Sequence, residues 1–258
     1  SYTASPSTAA ARPPSLLLAA ARLLALMLWL AFCAPLHLLS RTGGHSPWPR
    51  RFLGGVARIV GARVQARGEP IEPHTLIIAN HVSWLDIPVM AGATGCAFVS
   101  KDEMKGHPLM HWLCVQNRTV FVNRSDKRGI ARQTAEMLDA LQRPMPLALF
   151  PEGTVGDGGK LLPFRPPLLS AFAPSPPNVV IRPVAIDYGS AAREFGWPQD
   201  ESGKANFLRL LGRRDTVGVT LHLLPALPPL EDRKALARAA HDAIAAALAP
   251  SGVAPAAV

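Results

Sequence analysis

The sequence predicts a single α/β domain: a mixed, mostly parallel sheet flanked by helices, preceded by an N-terminal apolar helix. The chain has 258 residues, of which 48% are hydrophobic, and this is enough for one substantial core. Short apolar segments, such as residues 75–79, 147–150 and 179–188, alternate with segments of helical period. Strands that alternate with helices are typical of α/β folds with a parallel sheet.

The apolar helix is predicted from residues 16–39, which contain eleven Leu and are interrupted only by Arg22 and His37. A central Arg costs about 3 kcal/mol in a membrane helix, whereas each Leu contributes about 0.5 kcal/mol. We therefore expect residues 16–40 to be a membrane anchor, either as a span or as a helix lying in one leaflet. A secretory signal peptide fits less well, because residues 33–35 make a poor cleavage site. A buried soluble helix would show a polar face.

Composition also sets the expected domain boundaries. Residues 1–15 are rich in Ala, Pro and Ser, and we expect them to be disordered. After the anchor, residues 52–249 carry the alternating strands and helices of the predicted α/β domain. Residues 250–258 follow the last helical pattern and are predicted to be a disordered tail.

The charge of the chain indicates an anionic partner. Lys and Arg number 27 against 18 Asp and Glu, which gives a formal charge of +9. No nucleic-acid-binding module is recognisable, and aromatic residues make up only 6%, so we expect no nucleic acid and favour a membrane surface. Because cytoplasmic flanks of membrane helices are enriched in basic residues, we place the domain on the cytoplasmic face of the inner (plasma) membrane. The arginines that follow the apolar segment are Arg41, Arg50, Arg51 and Arg58.

The first candidate site lies at the end of the apolar segment 75–79, where the chain continues as NHVSWLD. A tight turn can bring the carboxylate of Asp86 onto one imidazole nitrogen of His81 and leave the other nitrogen facing outward. Such a carboxylate fixes the tautomer of a histidine that acts as a general base. Asn80 and Ser83 are expected to bond or cap the turn and the helix that follows it.

The chain contains no GxSxG segment, so the hydroxyl that His81 would activate is expected to be that of the substrate. We expect no metal, because His107 and His111 stand four apart without an HExxH or Cys pair. The three scattered cysteines are typical of reduced thiols.

A second strand ends in polar residues at LALFPEGT, residues 147–154. Pro151 and Gly153 predict a turn around Glu152, which would be the second carboxylate of the site. A Glu in such a turn can also serve only to cap the amide groups that follow it.

Together these segments resemble the lysophospholipid and glycerolphosphate acyltransferase family. NHVSWLD, with His81 and Asp86, is similar to the family's first motif, and FPEGT, residues 150–154, to its third. Residues 98–124, which end in FVNR, resemble the second motif, and VVIRPVAI, residues 179–186, resembles the fourth. Four motifs in the family's order are a far more specific signal than any one of them.

The resemblance implies an acyl transfer without a cofactor. His81, oriented by Asp86, would deprotonate a lysolipid hydroxyl, which attacks the thioester of acyl-CoA or acyl carrier protein. The resemblance places Arg124 on the polar head of the acceptor, and Glu152, Gly153 and Thr154 in the same substrate-binding set. We add two further cations of these motifs to that set, Lys101 and Arg182. Lys101 can instead pair with Glu103 on a solvated face.

One departure from the family concerns the acceptor. The family usually has an Arg directly after FPEGT, and this chain has Val155. On family frequency we expect 1-acylglycerol-3-phosphate, acylated to phosphatidic acid. The alternative is lyso-ornithine lipid, an amino-acid lipid without phosphate. A non-catalytic membrane-binding member of the fold and a thioesterase are the other classes considered.

Overall fold

The structure is a computed structural model, and it describes residues 13–41, 46–101, 107–122, 129–198 and 200–255. The strands within these ranges are β1 (Ala62–Gly68), β2 (Thr75–Ala79), β3 (Ala97–Lys101), β4 (Val120–Val122), β5 (Leu147–Leu149), β6 (Lys160–Leu161), β7 (Val180–Asp187), β8 (Val217–Leu223) and β9 (Ala254–Pro255). The α-helices in the same ranges are α1 (Leu16–Ser40), α2 (Trp48–Val60), α3 (Asp86–Thr94), α4 (Pro108–Gln116), α5 (Ile130–Leu141), α6 (Ala192–Phe195), α7 (Gly203–Leu211) and α8 (Arg233–Leu248). Short 3-10 helices cover Pro166–Phe172, Gly189–Ala191 and Ala249–Ser251.

Seven of the strands form one sheet in the order β1-β8-β7-β2-β5-β3-β4. Strand β2 pairs in parallel with β5 on one side and with β7 on the other, and β3 pairs in parallel with β5 and β4. Only the junction of β7 with β8 is antiparallel, so β8 and its parallel neighbour β1 run opposite to the other five strands. The prediction of a mixed, mostly parallel sheet is confirmed.

Helices cover both faces of the sheet, as the burial of every β2 residue requires. Ile77 packs on one face with residues of α2, α3 and α7, including Val60, Met90 and Leu211. Leu76 and Ile78 pack on the other face with residues of α5, α8 and the 3-10 helix at 166–172. A strand that is buried on both faces reads as a continuous apolar run, which is the pattern of residues 76–79.

The predicted apolar helix is α1, which is long and apolar enough to cross a membrane. One side of it packs on α2, where the Trp29 indole donates to the carbonyl oxygen of Phe52 at 3.0 Å. The Arg22 guanidinium donates to the carbonyl oxygens of Leu211, the last residue of α7, and Arg213. The other side of α1 leaves large apolar side chains more than half exposed: Leu16, Leu17, Leu24, Met27, Leu28, Phe32 and Leu39.

The C-terminal segment differs from the prediction of a disordered tail after residue 249. The chain forms a 3-10 helix over Ala249–Ser251, turns at Gly252, and pairs Ala254–Pro255 in parallel with β6. Ser251 also donates to the Asp187 carboxylate, which ties this segment to the end of β7. These contacts order residues 250–255, whereas residues 256–258, like residues 1–12, lie outside the described ranges.

Candidate active site

The candidate site forms where β2 ends and α3 begins. His81 follows the strand closely, and Asp86 is the first residue of the helix. The imidazole Nδ1 lies 2.9 Å from Asp86 Oδ2, so the predicted contact is present. The same oxygen accepts the N–H groups of Val82 at 2.7 Å and Ser83 at 2.9 Å. Asp86 is 0% exposed, and these bonds, with the positive end of the helix dipole, stabilise its buried charge.

The imidazole ring of His81 is held flat against the ring of Phe150. The ring centroids are 4.1 Å apart and the planes differ by 12°. The side chain keeps 14% of its surface exposed, and its Nε2 makes no hydrogen bond to any residue within the described ranges. When Nδ1 carries the proton that Asp86 accepts, Nε2 is the basic nitrogen, and it can take a proton from a bound hydroxyl.

The second oxygen of Asp86 is bound by a residue that sequence reasoning missed. The Tyr188 hydroxyl donates to Asp86 Oδ1 at 2.6 Å from a position just after β7. Burial and the Asp86 charge raise the pKa of Tyr188 well above its usual value, so the phenol remains a donor. Its sequence signal is its place two residues after the fourth motif, next to the end of a strand that pairs in parallel with β2.

Asn80 fixes the end of β2 to that same strand. Its side-chain amide donates to the carbonyl oxygen of Ile186 at 3.0 Å, and its oxygen accepts the Ile186 N–H at 2.7 Å. The pair of bonds continues the strand pairing through a side chain. The structural role expected for Asn80 is present, and Ser83 likewise accepts the N–H of Leu85 through its hydroxyl.

Glu152 connects the two strand-end segments. One carboxylate oxygen accepts the main-chain N–H of His81 at 2.7 Å, and the other accepts that of Leu162 at 3.2 Å. Glu152 is 3% exposed, and burial raises its pKa to about 8; the two amide bonds lower the pKa, and the Asp86 charge raises it further. Both oxygens face the main chain, so Glu152 holds the backbone of His81 in place. Its role in binding the acceptor stays a prediction.

The loop after Glu152 packs on the same histidine. Gly153 takes a left-handed conformation, with φ 75°, and its N–H donates to the carbonyl oxygen of Phe150. Thr154 is exposed, and the Gly156 N–H donates to the His81 carbonyl oxygen at 3.0 Å. The loop that contains Gly153 and Thr154 is therefore bonded to His81 through Gly156, and the substrate-binding role of Gly153 and Thr154 stays a prediction.

The side chains of two predicted substrate-binding cations, Lys101 and Arg124, lie outside the described part of the chain. Arg124 lies outside the described residues. Lys101 is the last residue of β3 and pairs with Val122, so its backbone lies at the carboxyl edge of the sheet, where His81 also lies. Its side chain lies outside the described part of the chain.

The Arg182 guanidinium, predicted to bind substrate, is bound within the fold. It donates to four main-chain carbonyl oxygens at 2.7 to 3.3 Å, those of Leu224, Pro70, Glu69 and Leu223. Leu223 is the last residue of β8, Leu224 follows it, and Glu69 and Pro70 follow β1. Arg182 itself pairs with Ile77 in the middle of β2, so it joins the ends of β1 and β8 to the central strands. Its substrate-binding role stays a prediction.

Other titratable groups border the same small cavity as His81, Glu152 and Tyr188. Lys160 and Asp187 contribute to its wall, as do Leu248 and Val253 from the end of the chain. Within the described ranges, no three His, Cys, Asp or Glu side chains are grouped as a metal site would require. The arrangement at this edge is thus an imidazole whose Nε2 makes no hydrogen bond within the described residues. Asp86 binds its Nδ1, and Glu152 binds the main-chain N–H of the same histidine.

Comparison with known proteins identifies the family. A sequence model described as "Acyltransferase" matches residues 63–187, the part of the chain that contains His81, Asp86 and Glu152. The chain is 34% identical to a lyso-ornithine lipid O-acyltransferase from Rhodobacter capsulatus, over 93% of this chain and 91% of that protein. The chain therefore belongs to the acyltransferase family, and the protein is an acyltransferase enzyme, as the resemblance of its four motifs implied.

Two further relatives bear on the fold and the acceptor. The chain is 33% identical to a 1-acyl-sn-glycerol-3-phosphate acyltransferase from Neisseria gonorrhoeae, over 53% of this chain and 50% of that protein. The fold is similar to the crystal structure of the 1-acyl-sn-glycerophosphate acyltransferase PlsC from Thermotoga maritima. That match has a TM-score of 0.63 at 20% identity, and covers 90% of this chain and 97% of the other.

Proposed function

We propose that this acyltransferase moves a fatty acyl group from an acyl-CoA or acyl carrier protein thioester to the free hydroxyl of a membrane lysolipid. The observation that carries the proposal is the geometry of His81. Asp86 binds Nδ1, Phe150 fixes the ring plane, and Nε2 is left for a substrate hydroxyl. The chain has no GxSxG segment to supply a serine nucleophile. We therefore propose direct transfer to the acceptor hydroxyl, without an acyl-enzyme intermediate.

In the proposed reaction, His81 Nε2 takes the proton of the lysolipid hydroxyl as its oxygen attacks the thioester carbonyl carbon. The new C–O bond forms, the C–S bond breaks, and the thiol leaves with the proton returned by the imidazolium. Asp86 stays ionised and stabilises the imidazolium through Nδ1. Carboxylates already engage the N–H groups of His81, Val82 and Ser83, so these amides do not supply the oxyanion donors.

Two acceptors are supported by different observations. The relative matched over 91% of its length acts, by its name, on lyso-ornithine lipid, and Val155 removes the cation that the family usually places beside a phosphate. A relative that is named for 1-acylglycerol-3-phosphate matches over 50% of its length. We therefore propose lyso-ornithine lipid as the first acceptor to test and 1-acylglycerol-3-phosphate as the second.

We also propose that the enzyme sits on the cytoplasmic face of the inner membrane with α1 lying in one leaflet. Near the start of α1, Arg22 donates to carbonyl oxygens at the end of α7 and just after it. Near the other end of α1, the His37 ring forms hydrogen bonds with Ser46 and Gln116. A helix that is held to its domain near both ends cannot cross a bilayer while the domain stays in water. The exposed apolar side of α1 would instead enter the lipid, as in interfacial helices.

The test is an acyl-transfer assay on the purified full-length chain in mixed micelles. Labelled acyl-CoA or acyl carrier protein is supplied with lyso-ornithine lipid or 1-acylglycerol-3-phosphate, and lipid products are separated by chromatography. We expect a diacylated product that disappears in the His81→Ala variant. Free fatty acid with no lipid product would indicate a thioesterase. Vesicle binding without turnover of any donor would indicate a non-catalytic member; either result would overturn the proposal.

A further inference from the structure

We propose that Tyr188 is a positioning residue for catalysis, which acts on His81 through the Asp86 carboxylate. The three side chains form one hydrogen-bonded chain, from the Tyr188 hydroxyl through Asp86 to His81 Nδ1. The catalytic part of this inference rests on the proposed acyl transfer. Its effect on the histidine can be measured without any substrate.

The contact joins two distant parts of the sequence at a fully enclosed point. Tyr188 and Asp86 are separated by 102 positions, and their oxygens are 2.6 Å apart. Both side chains are buried, so no bulk water competes for the bond. Three donors converge on Oδ2, whereas within the described residues Tyr188 supplies the hydrogen bond to Oδ1. Without it, one oxygen of a buried carboxylate would have no partner among those residues.

The ring of Tyr188 is held independently of its hydroxyl. It stacks on Phe195 with centroids 5.1 Å apart, and the Arg213 guanidinium lies 4.9 Å from the centroid of the Phe195 ring. Arg213 is itself paired with Glu194 at 2.7 Å. Because packing already fixes the ring, loss of the hydroxyl alone should leave the ring in place and remove only the bond to Asp86.

The bond has a predictable effect on the base. A donor on Oδ1 draws charge from the Asp86 carboxylate and weakens its attraction for a positively charged imidazole. Tyr188 would thus favour the neutral His81, the form that can accept a proton. It also fixes the rotation of the carboxylate, which keeps Oδ2 directed at Nδ1. Glu152, Lys160 and Asp187 are the other charged groups that line the same cavity as His81. A substitution at Tyr188 keeps all three in the sequence, so it tests the effect of the hydroxyl.

The test is the Tyr188→Phe variant, which keeps the ring and lacks the donor. With 13C-labelled histidine in detergent-solubilised protein, NMR follows the titration of the His81 ring, assigned by its loss in a His81→Gln variant. We expect the titration midpoint to move upward by about 0.5 to 1 pH unit, the shift expected from one hydrogen bond. Under acyl-transfer conditions, the acid limb of kcat should move in the same direction, kcat at neutral pH should fall about tenfold, and KM should be unchanged.

The matched control is Phe195→Leu, which disturbs the packing of the Tyr188 ring and leaves the hydroxyl present. It should lower the melting temperature without moving the His81 midpoint. A Tyr188→Phe protein that is less stable and less active, but has an unchanged midpoint, would show that Tyr188 acts only through packing and would overturn the inference. If the wild-type protein transfers no acyl group, the proposed function fails, yet the NMR titration still decides the coupling between Tyr188 and His81.

Discussion

Asp86 and Arg182 are both buried charged residues of motif segments, and they have different kinds of partner. At the carboxyl edge of the sheet, Asp86 accepts main-chain N–H groups and binds an imidazole whose Nε2 makes no hydrogen bond within the described residues. In the middle of the sheet, Arg182 donates to four main-chain carbonyl oxygens. One charge thus supports a reactive group, and the other joins strand ends.

The difference shows that the hydrogen-bond partners of a charged motif residue, and not its residue type, indicate whether it serves catalysis or the fold. The donors of Arg182 are used within the fold, and a phosphate would have to displace main-chain carbonyls to reach them. Within the described residues, His81 Nδ1 and both oxygens of Asp86 have hydrogen-bond partners, whereas His81 Nε2 has none. Replacement of the Asp86–His81 pair should therefore lower mainly the rate of acyl transfer, and replacement of Arg182 should lower mainly the free energy of unfolding.

The largest expected effect follows from loss of the base. His81→Ala should lower the rate of acyl transfer by about 10² to 10⁴, the contribution of a positioned general base. Because His81 is partly exposed and its ring packs mainly on Phe150, the melting temperature should change by only a few degrees. Product chromatography and thermal unfolding followed by circular dichroism measure the two quantities.

Asp86→Asn should lower the same rate by about 10² or more, and should also lower the free energy of unfolding by about 1 to 3 kcal/mol, because the buried side chain accepts four hydrogen bonds. The amide cannot accept from all four of the groups that Asp86 binds, so the tautomer of His81 and the position of its ring are no longer fixed. We expect the loss in kcat and not in KM. A variant that keeps at least half of the wild-type kcat would show that Asp86 serves the helix start and not the reaction.

Arg182→Met should do the reverse. Four carbonyl oxygens lose a charged donor, and we expect the free energy of unfolding to fall by about 3 kcal/mol while kcat per folded molecule is unchanged. Urea unfolding and the acyl-transfer assay provide the two readings. Arg182→Lys keeps the charge and should be intermediate in stability. A hundredfold fall in kcat in a stable Arg182→Lys protein would place Arg182 in the acceptor site after all.

The last expected effect is a pH dependence of stability due to Glu152. Burial raises the pKa of this carboxyl from an ordinary 4.5 to about 8 in the fold. The folded state then holds the proton more tightly than the unfolded state, so the stabilisation is complete below pH 4.5 and is lost as the pH rises through about 8. The melting temperature of the wild type should therefore fall between pH 6 and 9 more steeply than that of Glu152→Gln. Parallel curves would exclude Glu152 as the titrating group.

The sequence predicted those features that depend on local pattern. The His81–Asp86 contact spans five positions, and strands β7 and β8 and helix α8 follow directly from their apolar periods. Tyr188 was missed because its partner is 102 positions away and depends on β7 lying beside β2. The main-chain partners of Arg182 were missed for the same reason, since they lie at or just after the ends of β1 and β8, which are distant from Arg182 in sequence. The order of residues 250–255 depends on pairing with β6, which no local signal in a two-residue strand reveals.

The central claim, that the His81 imidazole removes the proton from the acceptor hydroxyl, is tested most directly by chemical rescue. The His81→Ala protein is assayed with lyso-ornithine lipid, and with 1-acylglycerol-3-phosphate, while imidazole is added at increasing concentration. We predict a rate at least about 100-fold below wild type that rises with the concentration of neutral imidazole. A His81→Ala protein whose rate stays within tenfold of wild type without imidazole would contradict the claim.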